Sequence, residues 1–237
     1  MHRFYLSAEE LQAGEIKSEE FNHLKNVLRM KEKDKFVAIC NNCNNYFCTI
    51  DKINKNSANF TVDKIELNEA NPKFKLAIFQ GLAKGEKLEL VAQKATEIGV
   101  SSIFPTYFSN CDVKPYTNKI SRLEKICISA CKQCGRSIVP QISDCVTIKD
   151  LPNLLKNYDI CLLANEREDN KQLLDILNEY KNVNSVAVIV GPEGGFSTTE
   201  LEILKSYAIS ASLGKRILRT ETAGIYLMSV LSSFYGA

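Results

Sequence analysis

The hydrophobic period of this chain changes once, near residue 70, and that change constrains the fold more than any other feature. Before it, short β-branched and aromatic runs (HRFYLS, FVAIC, YFCTIDKIN, NFTVDKIEL) are separated by Asn/Lys turns, the pattern of a small antiparallel sheet or barrel. One helix is predicted among them, capped by Ser18 with Phe21, Leu24, Val27 and Leu28 as its apolar stripe. After it, strand-like runs (KLAIFQGLA, VSSIFPTYF, YDICLLANE, SVAVIVG, ISASLG) alternate with helix-like ones (GEKLELVAQKATEIG, NKISRLEKICISACKQCG, IKDLPNLLKN, NKQLLDILNEY, TTELEILKSY and a last helix from Thr220). Such alternation predicts an α/β unit, a mostly parallel sheet covered by helices. The polar segment NEANPKF, with Pro72, is the linker candidate. The expected domains are therefore residues 1–70 and 71–237.

Composition narrows the function classes. Hydrophobic residues are 45% and charged residues 24% of the 237, enough for a real core and not a disordered chain. No apolar run approaches the roughly 18 residues of a membrane helix, and MHRFYLSAEE has no apolar signal core. A cytoplasmic protein with no membrane partner is expected. A net charge of +2 is not that of a histone-like DNA binder, so a nucleic acid would be held by a local patch. Lys25, Arg29, Lys31, Lys33 and Lys35, against Glu32 and Asp34, form one candidate patch or an ordinary solvated helix end. Nine cysteines at irregular spacing suggest no disulfide framework. The pairs Cys40/Cys43 and Cys131/Cys134 would make a zinc site only if they converged. Buried free thiols are the simpler reading, and no metal is expected.

Two strand ends carry the chemistry-bearing motifs. Ser185–Val190 runs into Gly191-Pro192-Glu193-Gly194-Gly195-Phe196, and Ser197 with Glu200 forms a capping box that opens the next helix. A glycine turn between strand and helix lets a ligand approach bare backbone N–H groups; the alternative is a tight turn with no ligand. It is neither a GxGxxG fingerprint nor a phosphate loop with its lysine. The second motif, SLGKRILRTETAGIYLMSVL, places Leu213-Gly214 at a strand end. Ile217 and Leu218 follow, between Arg216 and Arg219, and Thr220-Glu221-Thr222 opens a helix. Two such ends could share one cleft. Lys84, Lys87, Lys94 and Arg136 are further possible phosphate donors.

Taken together, HLKNVLRM (23–30), KGEKLELVAQKATEIGV (84–100), ACKQCGRSIVP (130–140), IVGPEGGFS (189–197) and LGKRILRTETA (213–223) resemble the RsmE family. These are bacterial enzymes that methylate N3 of a uridine in 16S ribosomal RNA of the small subunit. The resemblance runs in order over nearly the whole chain. It implies a PUA-like N-terminal β-barrel that helps hold RNA, then a SPOUT-type sheet with a C-terminal trefoil knot. It also implies S-adenosylmethionine as cofactor and a homodimer. The cofactor loop would be Gly191, Glu193 and Gly194, with Leu213, Gly214, Ile217, Leu218 and Thr222 as the opposite wall. Arg219 and Arg136 would serve the RNA or the reacting base. Arg3, His23, Lys25, Arg29, Lys31, Lys33 and Lys84 would contact RNA. Three positions depart from the family pattern: Lys132 where a Glu is expected, Ser109-Asn110-Cys111 without an arginine, and Lys215 where proline is common.

The implied chemistry needs no metal, because a sulfonium methyl is already activated. Uracil N3–H is weakly acidic, so a guanidinium on a uracil carbonyl would stabilise the developing anion, and Arg219 is the candidate. Glu221 could accept the proton, or it could simply be a first-turn carboxylate facing the helix dipole. Arg219 could instead pair with Glu221 in a structural role. Other readings are a methyltransferase of the same fold acting on another rRNA or tRNA base, a non-catalytic RNA-binding protein, and a nucleotide-binding α/β enzyme.

Overall fold

A computed structural model describes residues 1–115, 120–165 and 172–236. The positions expected to begin two helices (Asn118–Lys119 and Asn170–Lys171) and to end one strand (Glu166) lie outside the described residues. The chain forms two compact units: Met1–Asn71 with Cys131–Val139, and Pro72–Ala130 with Pro140–Ala237.

The first unit is a five-stranded sheet of β1 (His2–Tyr5), β2 (Glu15–Ile16), β3 (Lys35–Ile39), β4 (Asn44–Ile53) and β5 (Ala58–Leu67). Their order is β1-β3-β4-β5-β2. The hairpins are antiparallel, but β1 pairs with β3 in parallel. Among the described residues β1 and β2 do not pair, so hydrogen bonding does not close the expected barrel into a ring. Phe4, Leu24, Phe36 and Ile50 centre its core, with Phe36 edge-on to both Phe4 and Phe60.

Helix α1 (Ala8–Ala13) was not predicted; Ser7 and Glu10 form its capping box. Ser18 does cap α2 (Glu19–Asn22), which then widens into a π-helix over His23–Val27. The amide of Leu28 reaches the carbonyl of His23, five residues back. The wider turn rotates the expected stripe: Leu24 is fully buried, whereas Val27 is 65% exposed.

NEANPKF is not a slack linker. Asn68 donates to the Gly135 carbonyl at 2.8 Å. The Asn71 carboxamide accepts from the amides of Ser137 and Ile138, each at 3.0 Å, and donates to Ser137 Oγ at 2.8 Å. These bonds draw residues 131–139 into the first unit. Lys132, a departure from the family pattern, has a local partner here, Glu20 at 2.6 Å.

The second unit is a seven-stranded sheet of β6 (Lys75–Gly81), β7 (Ser102–Tyr107), β8 (Gln141–Ile142), β9 (Val146–Thr147), β10 (Ile160–Ala164), β11 (Ser185–Val190) and β12 (Ile209–Ala211). The order is β12-β10-β11-β6-β7-β8, with β9 also on β7, and every pairing is parallel. The central strands are apolar throughout because both faces are covered. One face, with Ala77, Phe79, Leu163 and Ile189, packs on α5 (Leu151–Leu155) and α7 (Thr198–Lys205). The other carries α3 (Lys87–Ile98) and α8 (Thr220–Tyr235), which pack on each other. Helix α4 (Ile120–Cys134) and α6 (Leu173–Glu179) complete the set. Gly99 ends α3 at φ 109°, a left-handed cap that glycine adopts without a Cβ penalty. No helix among the described residues is long and apolar enough to cross a membrane.

The cysteine pairs do not build a metal centre: no group of three or more His, Cys, Asp or Glu able to hold an ion occurs among the described residues. Burial pushes the Cys48 and Cys161 thiols up to about 12, so they act as small apolar side chains. Replacing Asn71 by Ala leaves two amides of the 137–138 segment without their acceptor. The expected loss is about 1–3 kcal/mol, read as a fall in the urea midpoint, whereas the same change at exposed Asn26 should leave it nearly unmoved.

Candidate active site

The carboxyl ends of β10 and β11, and the segment after β12, surround a cavity of about 370 Å³. That lies within the roughly 300–1,000 Å³ of small-ligand pockets, and beyond strand ends is where open parallel sheets bind ligands. One wall is Gly191–Phe196; the other is Leu213–Thr220. The expectation that two glycine-bearing strand ends share one cleft is met.

The glycine turn leaves β11 over the end of β6. A Cβ on Gly81 would lie 2.7 Å from the carbonyl carbon of Gly191, so only glycine permits this passage. The Gly191 carbonyl accepts from Thr220 Oγ1 at 2.5 Å. That hydroxyl has one proton to give, so it accepts from Gln80 Nε2, at 2.6 Å. The Gln80 side chain is 1% exposed, and its Oε1 has no partner. A Cβ on Gly224 would stand 2.8 Å from it. The first turn of α8, β6 and the glycine turn are thus joined by one buried polar chain.

Glu193 lines the cavity, but its Oε1 accepts from the Lys84 amide at 3.0 Å and Lys87 Nζ at 2.9 Å. Partial burial pushes its carboxyl up, but the Lys87 ammonium and the amides outweigh this, so it lies below the ordinary range. Gly214 has φ 102°, and a Cβ there would meet no protein atom within 4 Å. It is therefore a cradle position, where backbone is left bare toward open space.

Of the residues expected at this site, Gly191, Glu193, Gly194, Leu213, Gly214, Ile217, Leu218 and Arg219 line the cavity. Thr222 does not. It is exposed, and Thr220 takes the lining position. Two residues along a helix turn the side chain about 200°, so both threonines cannot face the same wall. Glu221 also lines no part of the cavity; one of its oxygens is buried without a hydrogen-bond partner. Arg136 is 2% exposed and belongs to the first unit. Arg219 is exposed, and among the described residues its guanidinium has no partner, so the pairing with Glu221 does not form. Asn165, Lys87, Lys215, Arg216 and Thr220 also line the cavity. Asn165, the polar residue ending an apolar strand, and Thr220, the first residue of α8, were the detectable signals.

The RNA-contact candidates divide. Lys25 is committed to the carbonyls of Asn54 and Lys55, both at 3.1 Å. Arg3 donates to Asn45 at 3.1 Å, and His23 lies 3.7 Å from Glu20. Lys84, in the second unit, pairs with Asp112 at 2.8 Å. Arg29, Lys31 and Lys33 are exposed.

Comparison with known proteins settles the family. The RNA methyltransferase domain family matches residues 69–232 and the RNA methyltransferase PUA domain family residues 16–63. The chain belongs to this RNA methyltransferase family. A relative in Mesomycoplasma hyopneumoniae, named ribosomal RNA small subunit methyltransferase E, is 33% identical over 97% of this chain and 98% of its own length. A methyltransferase of Legionella pneumophila, solved with bound S-adenosylmethionine, matches with TM-score 0.86 at 30% identity, covering 98% and 96% of the two chains. The ribosomal RNA small subunit methyltransferase E of Neisseria gonorrhoeae, also solved with S-adenosylmethionine, gives TM-score 0.86 at 25% identity, covering 99% and 98%.

The two threonines make a direct test. Thr220→Val removes both bonds of the Gln80–Gly191 chain and should cost about 1–3 kcal/mol by denaturant unfolding. Thr222→Val should stay within about 0.5 kcal/mol of wild type.

Proposed function

We propose that this protein is an S-adenosylmethionine-dependent methyltransferase that modifies N3 of a uridine in 16S ribosomal RNA of the small subunit. The observation that carries the reading is the cavity at the strand ends, with glycine backbone on both walls and, at its edge, Arg219, which has no partner among the described residues. The Gly191–Gly195 wall brings backbone close to the cavity, which suits a ligand with both donor and acceptor edges. The apolar Leu213, Ile217 and Leu218 suit a flat, partly apolar ring. Family membership, and relatives named for this reaction, support the same assignment.

S-adenosylmethionine, when bound, supplies a methyl group already activated on a positive sulfur. The protein's task is then to hold the uridine N3 in line, within a near-attack distance of roughly 3–3.5 Å. The target base must leave its stack to enter the cavity. The Arg219 guanidinium stabilises negative charge as it develops on a uracil carbonyl. Its lack of a partner among the described residues matters: an arginine already paired would have to break that pair first. Glu221 stands in the first turn of α8, where its charge favours the helix N-terminus. Away from the cavity, it leaves water as the proton acceptor.

The finer architecture belongs to the same proposal: a SPOUT-type fold with a C-terminal trefoil knot, acting as a homodimer in the cytoplasm. Leu227, Met228 and Leu231 of α8 are spent within the chain, each 0% exposed. A partner copy would instead meet Tyr226 and Phe234, 44% and 37% exposed. The PUA-family unit holds the RNA. Its residues 1–70 carry 10 basic and 11 acidic side chains, so the contact is local. Arg29 and Lys33 have φ 52° and 74°, a left-handed backbone rare for non-glycine residues and enriched where function holds it.

Arg219→Ala should lower the single-turnover methylation rate by a factor on the order of 10²–10³, with little change in S-adenosylmethionine affinity by calorimetry. Raising the pH should restore part of the rate, because more uracil is then ionised. Arg219→Lys should rescue poorly, since an ammonium lacks the planar fork. A wild-type rate at saturating RNA would end the assignment.

Neutralising Arg29, Lys31 and Lys33 together should flatten the salt dependence of RNA binding by about 2–3 log units per log unit of salt, if all three contact phosphate. Filter binding over a salt series reads this slope, and an unchanged slope would place the RNA surface elsewhere.

A further inference from the structure

Glu200 does more than a helix cap requires. The residue is 3% exposed, and no lysine or arginine pairs with its carboxylate among the described residues. Oε2 completes the capping box, accepting from the Ser197 amide and hydroxyl at 2.8 Å each. Oε1 accepts from the amide of Ser109 at 2.7 Å and its hydroxyl at 3.0 Å, 91 positions earlier in the chain. Burial pushes this carboxyl up, but the serine donors more than offset it, and the group stays below the ordinary carboxylate range. A buried negative charge held by four neutral donors resists the loss of any of them, because each that leaves removes a charge-assisted hydrogen bond.

The turn that Glu200 holds is pressed on the cavity wall from outside. Asn110 Nδ2 donates to the Gly194 carbonyl at 3.1 Å. A Cβ on Gly194 would lie 2.8 Å from the Asn110 carbonyl oxygen and 2.9 Å from its Cβ, so the two segments are in close contact. Phe108, fully buried, meets Phe196 edge-on at 5.0 Å. The Phe196 ring in turn sits 3.1 Å from where a Gly191 Cβ would be. Residues 108–110 therefore bear on the glycine turn at Gly194, Phe196 and, through Glu200, Ser197. Gly194 and Phe196 line the cavity; Phe108, Ser109, Asn110 and Glu200 do not.

We propose that Glu200, with Ser109 and Asn110, is a positioning device that sets the shape of the Gly191–Phe196 turn and so the cavity's affinity for S-adenosylmethionine. This rests on that molecule being the cavity's ligand. Glu200 touches no reactant; it acts through the turn. A glycine-rich turn has many backbone states of similar energy, and an unbraced one must be ordered by the ligand at the ligand's expense. Bracing removes that cost before binding.

The test uses the full chain with S-adenosylmethionine as the calorimetric probe. Ser109→Ala, at an exposed position remote from α7 in sequence, and Asn110→Ala should each raise Kd several-fold. Glu200→Gln, which turns an amide N–H₂ toward donors, should raise it by about 10–100-fold. The Glu200→Gln/Ser109→Ala double variant should fall short of the product of the singles, because one removes what the other lost. KM for S-adenosylmethionine should follow Kd, with kcat at saturation falling less than Kd rises. A plain helix cap predicts otherwise. Melting temperature would drop for Glu200→Gln, while Ser109→Ala and Asn110→Ala would leave Kd at the wild-type value, and that result overturns the proposal. Absence of binding by the wild-type protein would instead overturn the cofactor reading on which it rests.

Discussion

The Gly191 carbonyl is the point on which the cavity turns. Strand β11 ends one residue earlier, at Val190, and the chain then bends over the end of β6. Thr220 Oγ1 supplies the bond, and Gln80 fixes the direction of the hydroxyl proton. The bond spans 29 residues and joins both walls of the cavity at their base. Without it, the start of α8 and the glycine turn would be tied only by chain connectivity and apolar contact, which set distance but not peptide orientation. Around this bond the glycines are steric necessities. Gly81 makes room for the Gly191–Pro192 backbone, and Gly224 for the Gln80 amide.

The two sides of the glycine turn are held by different physics. On the cavity's rim, Glu193 engages Lys87 and the Lys84 amide through partly exposed contacts. Such contacts are worth little individually and are weakened by salt. On the outer side, Glu200 is buried and held by neutral donors, an arrangement that salt barely touches. A turn held firmly on one side and loosely on the other can admit a ligand without losing its shape.

Much of the fold was readable from hydrophobic period and capping chemistry. The alternation after residue 72, the Gly99 stop, the Ser197–Glu200 box and the α8 start at Thr220 all appear where local residues dictate them. The errors have structural causes. Val27 fell outside the core because a π-turn replaced an α-turn. Residues 131–139 read as the end of a helix and a turn; hydrogen bonds to Asn68 and Asn71 recruit them to the other unit.

By itself, the sequence determined most of the longer strands and helices, that glycine turns follow two strand ends, and which charges surround them. Those properties depend on neighbours within a few positions, so pattern reveals them. Only the tertiary structure decided that Thr220 and not Thr222 faces the cavity, that Arg136 is buried in the first unit while Arg219 has no partner among the described residues, and that Glu200 reaches Ser109. Each of these is set by where a side chain points after strands distant in sequence have paired, and no local period carries that direction.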